Sequence, residues 1–311
     1  MTRTPLNIIC RRTQLDAALE SYFIKETLLA KVGRPIRVMA FEDKAAMPLL
    51  GDALVISFGT SLAPYLRAAR ERGCRNVGLF HMADERGSDD RGFYADADYV
   101  IRHYWHEAAF AKPSERSLGV VWVPNGYRNG VGPVARETML PMRDRTIMGF
   151  FAGVIEGRTL SDERRGMAQA IESAKLPFTI IETKGFGQGL GPTAYAAYLS
   201  SARFALTPSG NSPETIRLYD AFEAGAIPVM LRNAFVAEPR ALGNPPVLLL
   251  DRWSELGAAY APYAAADAPA VVEKLQAMQD ELAAWWQDFV ARQQQKVATL
   301  IETSFARSAA R

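Results

Sequence analysis

Short runs of consecutive apolar residues alternate with longer amphipathic stretches along the whole chain. In the first half the apolar runs fall at 7–10, 36–41, 53–58, 76–81, 99–103 and 120–123. In the second half they fall at 146–151, 178–182, 204–207, 227–231 and 247–250. Helical periodicity of three and four fills 13–32, 61–72, 161–174, 193–202, 214–224 and the long 267–305. An uninterrupted apolar run reads as a strand covered on both faces, and strands alternating with helices read as parallel sheets flanked by helices. The fold class is therefore α/β, with two doubly wound units in tandem. Residues 125–145 are rich in Gly, Pro, Asn and charge and hold few periodic apolar positions, so the boundary is expected there. This gives a first domain at 1–135, a second at 146–290 and a terminal helix, 291–311, packing back on the first. Sheets of this kind bind ligands beyond the carboxyl ends of their strands, where strand order reverses. With two such halves, the expected site is the cleft between them.

Length and composition agree with two ordinary globular domains: 311 residues, 49% hydrophobic and 23% charged. A net charge of +2 gives no broad basic face, so nucleic acid is not an expected partner. The local cluster Arg11, Arg12, Arg67, Arg70, Arg72 and Arg75 reads as solvated helical surface. Cys10 and Cys74 are far apart and lie in or beside apolar runs, which points to a reducing compartment rather than a disulfide. No stretch approaches the ~18 apolar residues of a membrane span, and the amino-terminal apolar run is too short for a signal peptide. A soluble, cytoplasmic protein is expected.

The most informative segment follows the run at 204–207. Pro208-Ser209-Gly210-Asn211 is a turn sequence, and Ser212-Pro213-Glu214 has the features of a helix start: a capping Ser, Pro at the first helical position and an early acid. Gly225 suits the residue after the helix, and Ile227-Pro-Val-Met-Leu resumes a strand. A helix amino end beyond a sheet offers N–H groups and a positive dipole end to phosphate. On such a helix Glu214, Arg217 and Asp220 share an arc of about 120° with Arg217 central. Arg217 would set a forked guanidinium on a diphosphate, and Asp220 would accept hydrogen bonds from ribose hydroxyls. By spacing alone, an ordinary amphipathic helix with an i,i+3 Arg–acid pair fits equally well.

This segment resembles the donor-binding region of the exostosin-like glycosyltransferases, and more closely the ribitol β-1,4-xylosyltransferase family. The shared pattern is Pro-x-Gly, Glu-x-x-Arg-x-Tyr-Glu-Ala, then Gly-x-Ile-Pro-Val. Pro208, Gly210, Glu214, Arg217, Tyr219, Ala221, Gly225, Ile227, Pro228 and Val229 match it, and Asp220 stands where the pattern has Glu. The likeness extends to Phe151-Ala-Gly153, to Leu250-Asp-Arg-Trp-Ser-Glu-Leu256 and to Trp285-Trp-x-x-Phe289 with Ile301-Glu-Thr-Ser-Phe305. It implies the GT-B architecture, two Rossmann-like domains facing a central cleft, with the donor held by the second half. It implies an inverting glycosyltransferase moving a sugar, xylose among the candidates, from a UDP-linked donor to a glycan or alditol-phosphate-type acceptor. No cofactor and no metal are expected; the nucleotide sugar is a co-substrate. Arg217 would hold the diphosphate, Asp220 the ribose and Glu214 the sugar or its phosphate, while Gly153 would let its loop approach the ligand closely.

Val77-Gly-Leu-Phe-His81-Met-Ala-Asp84-Glu85 is a strand ending in a polar cluster. Inverting transfer needs a base for the acceptor hydroxyl, and Asp84, Glu85 and His81 are candidates, with Asp84 placed first. Tyr104 and Trp105, after the next strand, are candidates for stacking on an acceptor sugar. Lys184 opens the glycine-rich stretch 184–191, which lacks both the Walker and the dinucleotide spacing and reads as a loop near the donor. Asp96-Ala-Asp98 matches a metal–nucleotide pattern but precedes a strand in the wrong half. The alternatives on this fold are a sugar-nucleotide epimerase or phosphorylase, and a binding protein without catalysis. The terminal helix carries Leu275, Met278, Leu282, Trp285, Trp286, Phe289 and Val297 as a core-facing stripe, with peripheral membrane contact the lesser reading.

Overall fold

A computed structural model describes residues 4–11, 20–40, 51–57, 63–156, 162–185 and 188–310. The chain forms two compact units, Met1–Pro124 with Val290–Arg311, and Asn125–Phe289. The expected helix at 13–32 falls partly outside the described residues; within them, Phe23–Leu28 forms a short π-helical segment.

The first unit is built on a six-stranded parallel sheet. Its strands are β1 (Leu6–Cys10), β2 (Ile36–Ala40), β3 (Asp52–Ser57), β4 (Val77–His81), β5 (Tyr99–Arg102) and β6 (Val120–Trp122), in the order β2-β1-β3-β4-β5-β6. Every residue of β1, β3, β4 and β5 is buried, as continuous apolar runs require. Helix α1 (Ala63–Glu71) covers one face through Leu66 and Ala69. At the amino ends of the strands lies a buried polar knot. Asp52 pairs with Arg34 at 2.9 Å and accepts from Asn76 at 2.9 Å, and Ser304 donates to Asn76 at 2.6 Å. Burial raises the Asp52 pKa, and Asn76 and Arg34 oppose that shift. Asp98 sits at this same edge, accepting from the Val77 amide and from Arg70 and Arg116, so the Asp-x-Asp pattern serves strand entry.

The second unit holds a five-stranded parallel sheet of β7 (Ile147–Gly153), β8 (Phe178–Glu182), β9 (Ala202–Leu206), β10 (Ile227–Leu231) and β11 (Leu248–Leu250), in the order β11-β10-β9-β7-β8. Its helices are α2 (Glu163–Ser173), α3 (Pro192–Ser200) and α4 (Ile216–Ala224). Both sheets follow one winding rule, in which the first strand of each unit sits between its second and third. That is the flavodoxin-like order of doubly wound sheets, and its reversal lies between β1 and β3 in one unit and between β7 and β9 in the other. Helix α5 (Pro269–Ala309) runs through the division, contributing its first half to the second unit and its second half to the first. Leu275, Leu282, Trp286, Phe289 and Val297 are buried as the stripe predicted, while Met278 and Trp285 are half-buried.

Helix α4 begins later than its sequence suggests. Its cap is Thr215, without a side-chain hydrogen bond, and not Ser212. Ser212 closes a tight turn instead, its hydroxyl accepting from the Glu214 amide at 3.1 Å. The far end is as expected: Gly225 adopts φ +65°, the left-handed position that relieves a Cβ clash.

Arg145 fastens this unit from within. It is 1% exposed and donates to the carbonyls of Leu140 (2.8 Å), Ala202 (2.7 Å) and Ala224 (2.6 Å), joining a loop, a strand start and a helix end. Burial draws its pKa down to about 10. Arg145→Met removes the donors and leaves buried carbonyls unmet, at about 1–3 kcal/mol each before relaxation. We expect a loss of about 3 kcal/mol or more in urea unfolding, whereas Arg143→Met, at an exposed neighbour, should stay within about 0.5 kcal/mol. Equal midpoints for the two variants would refute this role.

Candidate functional site

In the second unit the strand order reverses between β7 and β9, so the loops leaving those two strands diverge around the recess where doubly wound sheets bind their ligands. The loop after β9, Pro208–Ser212, is held from α2. The Ser209 amide donates to Glu163 at 2.9 Å, while Arg164 donates to the carbonyls of Ser209 (3.2 Å) and Val154 (2.8 Å). Ser209 and Gly210 stay half-buried at the surface of this loop, and Pro208 is buried beneath them.

Arg217 lies in the first turn of α4, where amide N–H groups are unpaired within the helix. Its Nε donates to the Ala152 carbonyl at 2.9 Å, and its guanidinium stands 5.3 Å from the Phe151 ring centroid. A Cβ on Gly153 would collide with the Arg217 Nη2. The missing side chain at Gly153 thus seats the guanidinium, a more specific reason than the ligand approach expected from sequence. Burial lowers the Arg217 pKa, and the nearby Arg128 adds to that effect against Tyr195 and Asp220.

Of the two residues expected beside Arg217, Glu214 is placed otherwise, while Asp220 shares the helix as expected but is enclosed. Glu214 precedes the helix, is 3% exposed and accepts from the Tyr219 hydroxyl at 2.8 Å, so it does not share Arg217's arc. Asp220 is fully buried: Oδ1 accepts from the Arg128 amide at 2.8 Å and Oδ2 from the Arg128 Nε at 2.7 Å. Arg128 in turn lies over the Tyr195 ring, 4.1 Å from its centroid. Sequence reasoning passed over Arg128 because it stands in the Gly-rich segment taken as a domain boundary. Its one signal was a lone cation between two Asn-Gly-type turns. Lys184 is exposed just beyond β8, and residues 186–187 of its loop lie outside the described residues.

The polar cluster of the first unit gathers at the carboxyl ends of β4 and β5, one strand away from the order reversal. Arg102, fully buried, donates to Asp84 Oδ2 (3.0 Å), to the Tyr94 hydroxyl (3.2 Å) and to the carbonyls of His103 and Tyr104 (3.0 and 3.1 Å). Since Tyr94 accepts from Arg102, its own proton goes to His81 Nδ1 at 2.6 Å, which leaves Nε2–H for Asp89 at 3.0 Å. Burial, and then Arg102, lower the His81 pKa, so the ring is neutral with both nitrogens engaged. His81 is therefore poorly placed to take a proton from substrate. Asp84 is 3% exposed and locked between Arg102 and the Asp89 amide. The order of candidates changes accordingly. Glu85, half-exposed and accepting from the Tyr104 hydroxyl at 3.4 Å, is the carboxylate a hydroxyl can approach. Ala83 (φ +66°) and Tyr104 (φ +55°) both occupy the left-handed region, costly for residues with a Cβ, and they bracket this carboxylate.

Among the described residues His81, Asp84 and Asp89 bring ligand atoms within 4.8 Å of one another. The charge they surround is already met by the Arg102 guanidinium, which disfavours a dication there. Trp105 stacks on Phe110 (centroids 4.4 Å) with its edge toward Trp122, and stays half-exposed, as does Tyr104.

His103 is 1% exposed, and neither ring nitrogen has a hydrogen-bond partner among the described residues. It meets the Phe80 ring edge at 4.9 Å, and burial pushes its pKa down to about 3. The unfolded chain binds a proton at this residue below about pH 6.5 and the folded chain does not, so its contribution to stability is whole above pH 6.5 and is lost as pH falls toward 3. Replacing His103 by Phe should flatten the stability–pH slope across that window by up to one proton, about 1.4 kcal/mol per pH unit. Urea unfolding at several pH values measures it, and an unchanged slope would remove His103 from the balance.

Residues 119–241, under half of the chain, match the Exostosin GT47 domain. With its two parallel α/β units, the protein is a glycosyltransferase, which requires a sugar donor and an acceptor. The matched stretch takes in Arg128, Gly153, Arg217 and Asp220. A search of curated proteins finds no match. Sucrose-phosphate synthase from Thermosynechococcus elongatus superposes with a TM-score of 0.48 at 14% identity, over 97% of this chain and 100% of that one. The GtfA/B complex gives 0.40 at 12% identity, over 79% and 58%. Overlaps this loose say nothing of substrate. Among the described residues no helix is long and apolar enough to cross a membrane.

Proposed function

We propose that the protein is an inverting, metal-independent glycosyltransferase of GT-B type that takes a UDP-linked sugar, with xylose a candidate, and passes it to a glycan or alditol-phosphate-type acceptor. The carrying observation is Arg217. Its guanidinium rises from the first turn of α4, is pinned to the Ala152 carbonyl and occupies space that a Cβ on residue 153 would take. A fork of donors beside a helix amino end suits a diphosphate, and it meets the charge that grows there as the bond to the sugar breaks. Ser209 and Gly210 would line the same recess, and Lys184 would add a cation from the next loop.

In the transfer, the acceptor oxygen bonds to the anomeric carbon as the carbon–oxygen bond to the diphosphate breaks. The electron pair leaves with the nucleoside diphosphate, and the hydroxyl proton passes to Glu85. Asp84, fixed by Arg102, would hold the strand end that presents Glu85, and Tyr104 and Trp105 would contact the acceptor. Cys10 and Cys74, buried and outside any disulfide, fit a reducing, cytoplasmic setting.

Four measurements test this reading. Arg217→Ala should weaken UDP binding roughly 30- to 100-fold, the worth of about 2–3 kcal/mol for a charged bidentate contact. Glu85→Gln should lower kcat by about 10²- to 10⁴-fold with UDP affinity unchanged. Chelation with EDTA should leave turnover intact. If Glu85→Gln retains full turnover, the base lies elsewhere. If no sugar nucleotide raises the melting temperature in a thermal-shift screen, donor binding itself is refuted.

A further inference from the structure

We infer that Arg128 is the second cation of the diphosphate site, and that Asp220 is a positioning residue which aims it, instead of a ligand for ribose. The inference rests on the donor-site reading of the same recess, and it changes which residues do the work there.

Geometry carries the argument. Asp220 binds Arg128 at two points, the backbone amide (2.8 Å) and the guanidinium Nε (2.7 Å). Gripping both the main chain and the side chain of one residue fixes where that residue begins and where its fork ends. A ribose ligand must offer carboxylate oxygens to hydroxyls, but Asp220 is 0% exposed and each oxygen already accepts a hydrogen bond. Burying a carboxylate costs several kcal/mol unless a charge meets it, and here the charge that meets it is Arg128.

A third contact completes the mount. The Arg128 guanidinium lies 4.1 Å from the centroid of the Tyr195 ring, itself 5% exposed, so one face of the fork rests on an aromatic plate. Held at its Nε and on one face, the group keeps a fixed direction while remaining only partly buried.

Charge arithmetic gives the purpose. Arg217 feels Arg128, Asp220 and Tyr195, so these groups form one electrostatic unit. With Arg217 and Asp220 alone the recess would be neutral. Arg128 leaves it with one surplus positive charge, to which the α4 amino end adds its partial charge. Two guanidiniums flanking one carboxylate repel each other until an anion enters. A dianionic diphosphate relieves that repulsion, and more so as the leaving group gains charge.

The test uses the full chain and calorimetry with ADP, CDP, GDP, UDP and inorganic pyrophosphate, carried further with the tightest nucleotide and its 2′-deoxy form. Arg128→Ala should weaken the nucleoside diphosphate and pyrophosphate by roughly tenfold or more. Arg128→Lys, which keeps the charge but not the fork, should recover only part of that loss. Asp220→Asn should weaken the same ligands, add nothing on top of Arg128→Ala, and leave the ratio of ribo- to 2′-deoxyribonucleotide affinity as in the wild type. Circular dichroism checks folding, and the two Arg128 variants carry the test if Asp220→Asn does not fold. Affinity within twofold of wild type for Arg128→Ala overturns the inference. So does a ribo/deoxy ratio that collapses in Asp220→Asn. Pyrophosphate binding without any nucleoside diphosphate binding would sink the donor reading while sparing the role of Arg128. Binding of neither by the wild type sinks both.

Discussion

A guanidinium taken out of water must be met on nearly every side, because it cannot shed its proton at any ordinary pH. The polar ends of both sheets in this protein are organised around that demand. Arg102 holds Asp84, a tyrosine and two carbonyls at the carboxyl end of the first sheet. Arg145 gathers three carbonyls under the second. Arg34 joins Asp52 to Glu302 and so secures the end of the terminal helix. In each case the arginine ties together several segments at the places where strands end and apolar packing gives out. Arg128 and Arg217, near the second sheet's reversal, are built the same way but reach a less buried position. Such a group, ordered by the protein and partly open, is already arranged to receive an anion.

The strands and helices were largely legible in the sequence because parallel sheets covered on both faces use unbroken apolar runs. The predicted bounds of β8 and β10 coincide with the observed ones, and the stripe of the terminal helix is where periodicity puts it. The start of α4 was not legible. Ser212-Pro213-Glu214 has capping chemistry, but the Ser212 hydroxyl closes a local turn and Tyr219 draws Glu214 inward, so the helix begins at Ile216. Capping motifs report which hydrogen bonds a segment can make locally, and here a local turn and the Tyr219 hydroxyl took the groups that a cap would have used.

The site was half legible for a related reason. Arg217 and Gly153 were named through spacing and resemblance, although the contact between them, which joins α4 to β7, was not. Nor were the partners of Asp84, His81 and Asp220, because they come from other segments: Arg102 from β5, Tyr94 from a 3₁₀ turn, Arg128 from the segment before β7. A carboxylate at a strand end looks available in sequence whether or not a guanidinium lies across it. That is why Asp84 ranked above Glu85 until the side chains were placed, although Glu85 is the more approachable of the two.

The same distinction explains the departure from the family pattern at residue 220. A glutamate there would carry its carboxylate one methylene further from the helix. In this chain the oxygens must stay close enough to accept from the main-chain amide of Arg128 as well as from its Nε, at 2.8 and 2.7 Å. A longer arm could keep one of those bonds but would push the other away, and Arg128 would lose either its anchor or its direction over Tyr195. Aspartate is the side chain whose reach matches both contacts while remaining fully enclosed. Its shortness is then a condition for fixing Arg128, in the role inferred for it, beside Arg217.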